Sequence, residues 1–160
     1  MPRNKRVLAF DPGYERLGCA VIEKQKSKEV LLHSECVRTP AKLEFAERLK
    51  LLGEAAETLI KKWQPGVVAL EEVFFEKNVK TAMQVGAVMG MLAYIAAKNN
   101  LVVHHYTPLQ VKVAVTGYGR GNKAAIALMV PKLITLPPRR RLDDELDAIA
   151  VGITCLASLR

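Results

Sequence analysis

Two spacings of apolar residues alternate along this chain, and the switches between them mark out its elements. Val7 to Phe10 is a short apolar run that stops at Asp11-Pro12-Gly13, a turn sequence. Gly18 to Glu23 and Glu29 to Thr39 follow, separated by the polar stretch Gln25 to Lys28, and predict a three-stranded antiparallel meander. After Thr39-Pro40, apolar residues recur at Leu43, Ala46, Leu49, Leu52, Ala55, Ala56, Leu59 and Ile60. That is the three-and-four spacing of an amphipathic helix, and Pro65-Gly66 ends it. Val67 to Leu70 is unbroken and apolar, which suits a central strand covered on both faces. Lys80 to Asn99 returns to helical spacing, Leu101 to Tyr106 to strand, Pro108 to Val115 to a short helix, and Asp144 to Leu159 to a closing helix. Gly117 to Asn122 and Leu136 to Arg141 read as loops.

This order predicts an α/β fold with a mixed five-stranded sheet flanked by helices. With 160 residues, 50% of them apolar, and no repeat or linker, the expectation is a single domain over 1–160 with one core. Charges interrupt the apolar residues so that no window approaches ~18 in a row, and the start MPRNKRVLAFDPG lacks a leader's apolar centre. A cytoplasmic protein with no membrane role is expected. Cys19, Cys36 and Cys155 are scattered and form no Cys-x-x-Cys pair, so they are read as reduced and structural. Gly86, Gly90, Ala93 and Ala97 share one stripe of the second long helix, where either core packing or a subunit contact would use them.

Charge changes the picture more than composition does. The formal net charge is +8, and the segment from Pro108 to Leu142 has no acidic residue while it carries Lys112, Arg120, Lys123, Lys132, Arg139, Arg140 and Arg141. A solvated basic face is the bland reading of such a run. Its concentration in one segment points instead to a polyanion.

The acidic residues supply the chemistry. Asp11 ends the first strand at a sharp turn, and Glu71 ends the buried run Val67 to Leu70. Side-chain alternation sends its neighbour Glu72 to the opposite face. Asp144 and Asp147 stand three apart at the start of the last helix and share a face. Each is ordinary alone: a turn, a strand end, a helix start favoured by the dipole. Together they are two carboxylates from strands that can be neighbours and two from a helix able to cross those ends. That layout suits two hard divalent cations ~3.5–4 Å apart at a phosphodiester.

Phe10-Asp-Pro-Gly-x-x-x-x-Gly18, Leu70-Glu-Glu-Val-Phe-Phe-x-Lys-Asn78 and Asp144-x-x-Asp-Ala-Ile-Ala-Val151, in this order, resemble the RuvC family of Holliday junction resolvases. The likeness extends over almost the whole chain, through Gln110-Val-Lys112 and Gly117-x-Gly-x-x-x-Lys123. It implies an RNase H-like fold of the retroviral integrase superfamily and a magnesium-dependent endonuclease that resolves four-way junctions in recombination and repair. It further implies Asp11, Glu71, Asp144 and Asp147 as metal-binding catalytic carboxylates for two Mg2+ per subunit, with Mn2+ able to substitute. Lys112 and Lys123 match positions that assist DNA binding and transition-state stabilisation, and Phe74 matches an aromatic that meets bases near the junction centre. Arg120, Arg139, Arg140 and Arg141 are added as DNA contacts from the basic loops. A twofold junction cut symmetrically fits a homodimer, and the resemblance implies RuvA/RuvB-type branch-migration partners. Two features depart from the family: Pro131 falls where a continuous helix is expected, predicting a kink or split, and the Asp143-Asp144 doublet makes the ligand ambiguous. The spacing of three from Asp147 favours Asp144, with Asp143 as the cap.

Other readings compete. Gly117-Tyr-Gly-Arg-Gly-Asn-Lys123 looks like a phosphate loop, but a Walker loop needs Gly before the Lys and Ser or Thr after it, where Asn122 and Ala124 stand. His104 and His105 alternate across a strand and are read as structural, and Trp63 as a packing residue. A junction-binding protein without cleavage, a YqgF-like ribonuclease and a sugar-kinase-like ATP binder are the alternative functions. The four carboxylates weigh against the first, the Glu71-x-Val-Phe74 segment against the second, and the short chain against the third.

Overall fold

The computed structural model describes residues 5–73 and 78–159. The meander comprises β1 (Arg6–Asp11), β2 (Arg16–Gln25) and β3 (Lys28–Arg38), paired antiparallel in turn. After α1 (Phe45–Trp63), β4 (Val67–Glu71) pairs parallel with β1; after α2 (Val79–Lys98), β5 (Val102–Tyr106) pairs parallel with β4. The helices α3 (Pro108–Thr116), α4 (Lys123–Leu133) and α5 (Asp143–Ser158) complete the chain. The sheet order is β3-β2-β1-β4-β5. Thus β4, expected at the centre, is interior but not the middle strand. The meander adds two strands on one side of β1, leaving only β4 and β5 for the other.

Strand alternation sorts the core into two layers. Val7, Ala9, Ala20, Ile22, Val67 and Ala69 pack with α3, α4 and α5. Leu8, Phe10, Leu17, Val21, Val68 and Leu70 pack with α1 and α2. Asp11 and Glu71 continue the odd-numbered series of their strands and so belong to the α5 side. Residues Ala148 to Leu156 of α5 are all buried, so this helix is apolar all round and held tightly. Close approach is possible because a Cβ at Gly152 would meet the Ile22 side chain at 2.6 Å.

Local signals account for the helix starts. Thr107 and Gln110 form a reciprocal capping box at 3.1 and 2.8 Å with Pro108 in the first turn, and Asn78 and Asn122 accept from the backbone N–H of Thr81 and Ala125. Gly117 closes α3 in the left-handed region at φ 73°.

Three expectations are corrected. α4 runs unbroken from Lys123 to Leu133 with Pro131 inside it. Pro131 falls in the last turn, where little helix remains to be broken, and the Ile134 N–H still reaches the Val130 carbonyl at 3.1 Å. At the start of α5 the capping position is Leu142, not Asp143, and Glu145 satisfies the Leu142 N–H at 3.1 Å. Finally, α2 is long and apolar enough to cross a membrane by length and composition, since Thr81 to Ala97 contains no charge. Its Val85, Val88, Leu92, Ile95 and Ala96 are buried against the sheet, while Val79, Met83 and Tyr94 are exposed.

Candidate active site

The site is set by where two parallel strands end and one helix begins. Phe10 of β1 lies opposite Leu70 of β4, so Asp11 and Glu71 emerge side by side on the α5 face. The first turn of α5 crosses these ends carrying Asp144 and Asp147. Gly18 makes that crossing possible. A Cβ there would stand 2.0 Å from the Asp144 carbonyl oxygen and 3.3 Å from the Asp11 Cβ.

The gathering of carboxylates perturbs Asp11, Glu71 and Asp147. Burial, followed by the charges of Glu71, Asp147 and Asp144, pushes Asp11 up from 3.8 to about 8, with a hydrogen bond to Glu71 adding to the rise. Glu71 is raised by burial and by Asp147, against the opposing pull of Lys123 and Lys112. Asp147 is raised chiefly by burial, and Lys123 partly offsets this from 3.5 Å. Lys123 is in turn held protonated, first by Asp147. The cluster therefore keeps a proton on Asp11, shared with Glu71, in place of sufficient positive charge.

Asp144 has its own contacts. Its Oδ2 lies 3.7 Å from Arg16 Nη1 and 3.9 Å from Cys36 Sγ. Asp143 instead lines a concavity with Lys123, Leu146 and Asp147. Among the described residues no three carboxylate, imidazole or thiol groups form a closed ligand set. The donor chemistry nevertheless fits hard divalent cations, because the clustered groups are carboxylate oxygens whose mutual repulsion such an ion would relieve. Asp11, Glu71, Asp144 and Asp147 are the residues that would hold it.

The basic residues divide. Lys123 and Lys112 act on the carboxylates. Arg120 and Arg140 are exposed, and among the described residues their guanidinium groups have no polar partner. Arg139 and Arg141, expected to face DNA, each hold protein partners, although the Arg139 side chain stays 45% exposed. Arg139 Nη2 donates to Glu145 Oε1 at 2.6 Å and to the Ser34 carbonyl at 2.8 Å, and Arg141 Nε donates to Ser34 Oγ at 3.3 Å. The buried Glu145 carboxylate demands this compensation. Phe74 lies outside the described residues. Arg16, Cys36, Ser34 and Glu145 gave no sign in the sequence, because each matters through a partner far away along the chain.

The family profile "Crossover junction endodeoxyribonuclease RuvC" matches residues 7–155. The chain belongs to the RuvC family. Curated RuvC relatives include those of Halothermothrix orenii, 41% identical over 92% of this chain and 89% of the relative, and of Desulfitobacterium hafniense, 43% identical over the same shares. Among solved structures, T. thermophilus RuvC in complex with a Holliday junction substrate superposes with a TM-score of 0.89 at 31% identity, covering 96% of this chain and 94% of that one. The yeast mitochondrial resolvase Ydc2, at a TM-score of 0.70 and 14% identity, shares the fold. The fold is RNase H-like, as the RuvC resemblance implied, and RuvC nucleases depend on divalent metal.

Proposed function

We propose that this chain is a crossover junction endodeoxyribonuclease that cuts four-way DNA junctions by symmetric nicks. The observation that carries the reading is geometric: Asp11 and Glu71 end the neighbouring strands β1 and β4, and Gly18 lets the first turn of α5, with Asp144 and Asp147, approach Asp11 closely. These four would hold two Mg2+ ions, with Mn2+ able to substitute, and bound ions supply Lewis acidity at the phosphodiester. Attack of water on phosphorus breaks the bond to the 3′ oxygen, which takes up a proton from solvent, leaving a 5′-phosphate and a 3′-hydroxyl. Lys123, now on Asp147, turns to the phosphate as charge develops, and Lys112 moderates the field at Glu71. Arg120 and Arg140 contact the DNA backbone, and Phe74 the bases.

Two symmetric cuts call for a homodimer. The exposed face of α2 supports one: Val79 and Met83 are 78% and 71% exposed, Phe45 lies beside them, and a Cβ at Gly86 or Gly90 would meet nothing within 4 Å. Branch-migration proteins of the RuvA/RuvB type complete the assembly, and bacterial chromosomal DNA as substrate implies the cytoplasm. The experiment is cleavage of a synthetic four-way junction, linear duplex and RNA–DNA hybrid, with and without Mg2+, by wild type and Asp11→Asn. Junction cutting that needs Mg2+ and disappears in the variant, with binding retained, is expected. Undiminished cutting by Asp11→Asn removes the catalytic assignment, and preference for the hybrid removes the substrate.

A further inference from the structure

Arg139, Glu145 and Ser34 form a densely hydrogen-bonded polar cluster, and no step of the proposed reaction uses it. Glu145 is 4% exposed and sits between Asp144 and Asp147 on α5. Its Oε1 accepts from Arg139 Nη2 at 2.6 Å and from Ser34 Oγ at 3.0 Å. Its Oε2 accepts from the Leu142 N–H at 3.1 Å. Arg139 Nη2 also donates to the Ser34 carbonyl at 2.8 Å, and Arg141 joins Ser34 Oγ to the Pro137 carbonyl. The loop before α5, the edge strand β3 and the first turn of α5 thus meet at one carboxylate.

The register explains what this achieves. Ser34 and Cys36 are two apart on β3 and share its α5 face. Glu145 bonds the first, and the preceding residue, Asp144, lies beside the second. One bonded side chain therefore fixes both the rotation of α5 and its position along β3, immediately next to two members of the carboxylate cluster. A displacement of about 1 Å at such a site is enough to cost on the order of a hundredfold in rate.

We infer that Glu145, clamped by Arg139 and Ser34, is a positioning residue that sets where Asp144 and Asp147 stand relative to Asp11 and Glu71. This rests on the nuclease reading above. Arg139 then serves the reaction through its bond to the buried Glu145, and its removal acts on turnover and metal affinity, not on DNA affinity.

The test uses full-length wild type, Glu145→Gln, Arg139→Gln, Arg139→Lys and the Gln/Gln double variant. It measures junction affinity without divalent cation, kcat and KM for cleavage, and the Mn2+ concentration giving half the rise in melting temperature. Each Gln variant is expected to lower kcat by about tenfold or more and to raise that Mn2+ concentration about fivefold, with affinity and KM within about twofold. Arg139→Lys recovers part of kcat, and the double variant is no worse than the poorer single one, because the pair acts as a unit. An Arg139→Gln protein with weakened, less salt-sensitive junction binding and unchanged kcat overturns the inference in favour of a DNA contact. Where Arg139→Gln does not fold, Ser34→Ala carries the same readouts. Absence of cleavage by wild type would sink the nuclease reading alone. The Mn2+ titration needs no substrate, and equal half-points in wild type and Glu145→Gln would then refute the positioning role.

Discussion

Replacing Asp11 by Asn should make the metal-free protein more stable while it destroys cleavage. In wild type the folded-state carboxyl is raised to about 8 from its ordinary 3.8, so folding opposes its ionisation. The stability tied to this proton is fully present below the ordinary value and is lost as pH rises through about 8. Each factor of ten in the acid constant corresponds to about 1.4 kcal/mol, which sets a ceiling of about 6 kcal/mol for the full loss. Entry of water and movement of Lys123, whose side chain is 81% exposed, relax much of this, leaving about 1–3 kcal/mol. Asn keeps the size and a hydrogen bond to Glu71 but never ionises. In a chelator its melting temperature should therefore exceed that of wild type, and the gap should widen by roughly 2–4 °C for each kcal/mol gained between about pH 5.5 and pH 8.5. Added Mg2+ should stabilise wild type and reverse the order, because the ion binds the folded carboxylates. An Asp11→Asn protein that melts with or below wild type at both pH values in chelator refutes the argument that these carboxylates repel one another in the folded state.

Other consequences follow from the same geometry. Gly18→Ala puts a methyl group 2.0 Å from the Asp144 carbonyl oxygen, so α5 must shift and cleavage should fall about a hundredfold, measured as kcat at saturating junction. Lys123→Met should lower kcat by about 10²-fold or more while thermal stability stays within about 1 kcal/mol, since the ion pair to Asp147 is exposed on the lysine side. Neutralising Arg140 should weaken junction binding and reduce the slope of log affinity against log salt by about one, a change a filter-binding series would detect. Met83→Glu on the exposed face of α2 should shift sedimentation toward monomer without lowering folding stability by more than about 1 kcal/mol, as a surface position.

Much of this architecture could be read from residue spacing. Short unbroken apolar runs predicted β1 and β4, and the three-and-four recurrence predicted α1, with its stop at Pro65-Gly66 observed one residue beyond the Gln64 cap. Spacing could not reveal which strand takes the middle of the sheet, because that depends on the direction each crossover takes. Pro131 misled because propensity assumes a helix interior, whereas it sits where the helix is already ending. Asp143 looked like a cap because Asp is a good cap, but the turn began one residue earlier and Glu145 did the capping from inside. At the site, Asp11 and Glu71 were legible as carboxylates ending apolar strands. The partners of Arg139 were not legible: in a run of arginines, charge shows no partner, and its partner on β3 is 105 residues away.

The division within that run has a physical basis that links fold to reaction. Carboxylates gathered at the ends of β1, β4 and α5 repel when ionised, a force that opposes the packing of the helix that carries two of them. Apolar burial from Ala148 to Leu156 resists this along the body of α5, but not at its first turn, where the acidic residues are. The first turn needs its own attachment, and one that adds no further net negative charge and does not enter the ligand set. Glu145 facing away from the cluster onto Ser34, with Arg139 on it, provides this: the pair is nearly neutral toward the site yet fixes the backbone that bears Asp144 and Asp147. Arg16 and Lys123, with side chains 53% and 81% exposed, lie 3.7 and 3.5 Å from those same two carboxylates. The basic residues of this protein are therefore of two kinds, those bonded to the protein's own polar groups and those without such partners, and junction binding should depend on salt mainly through the second.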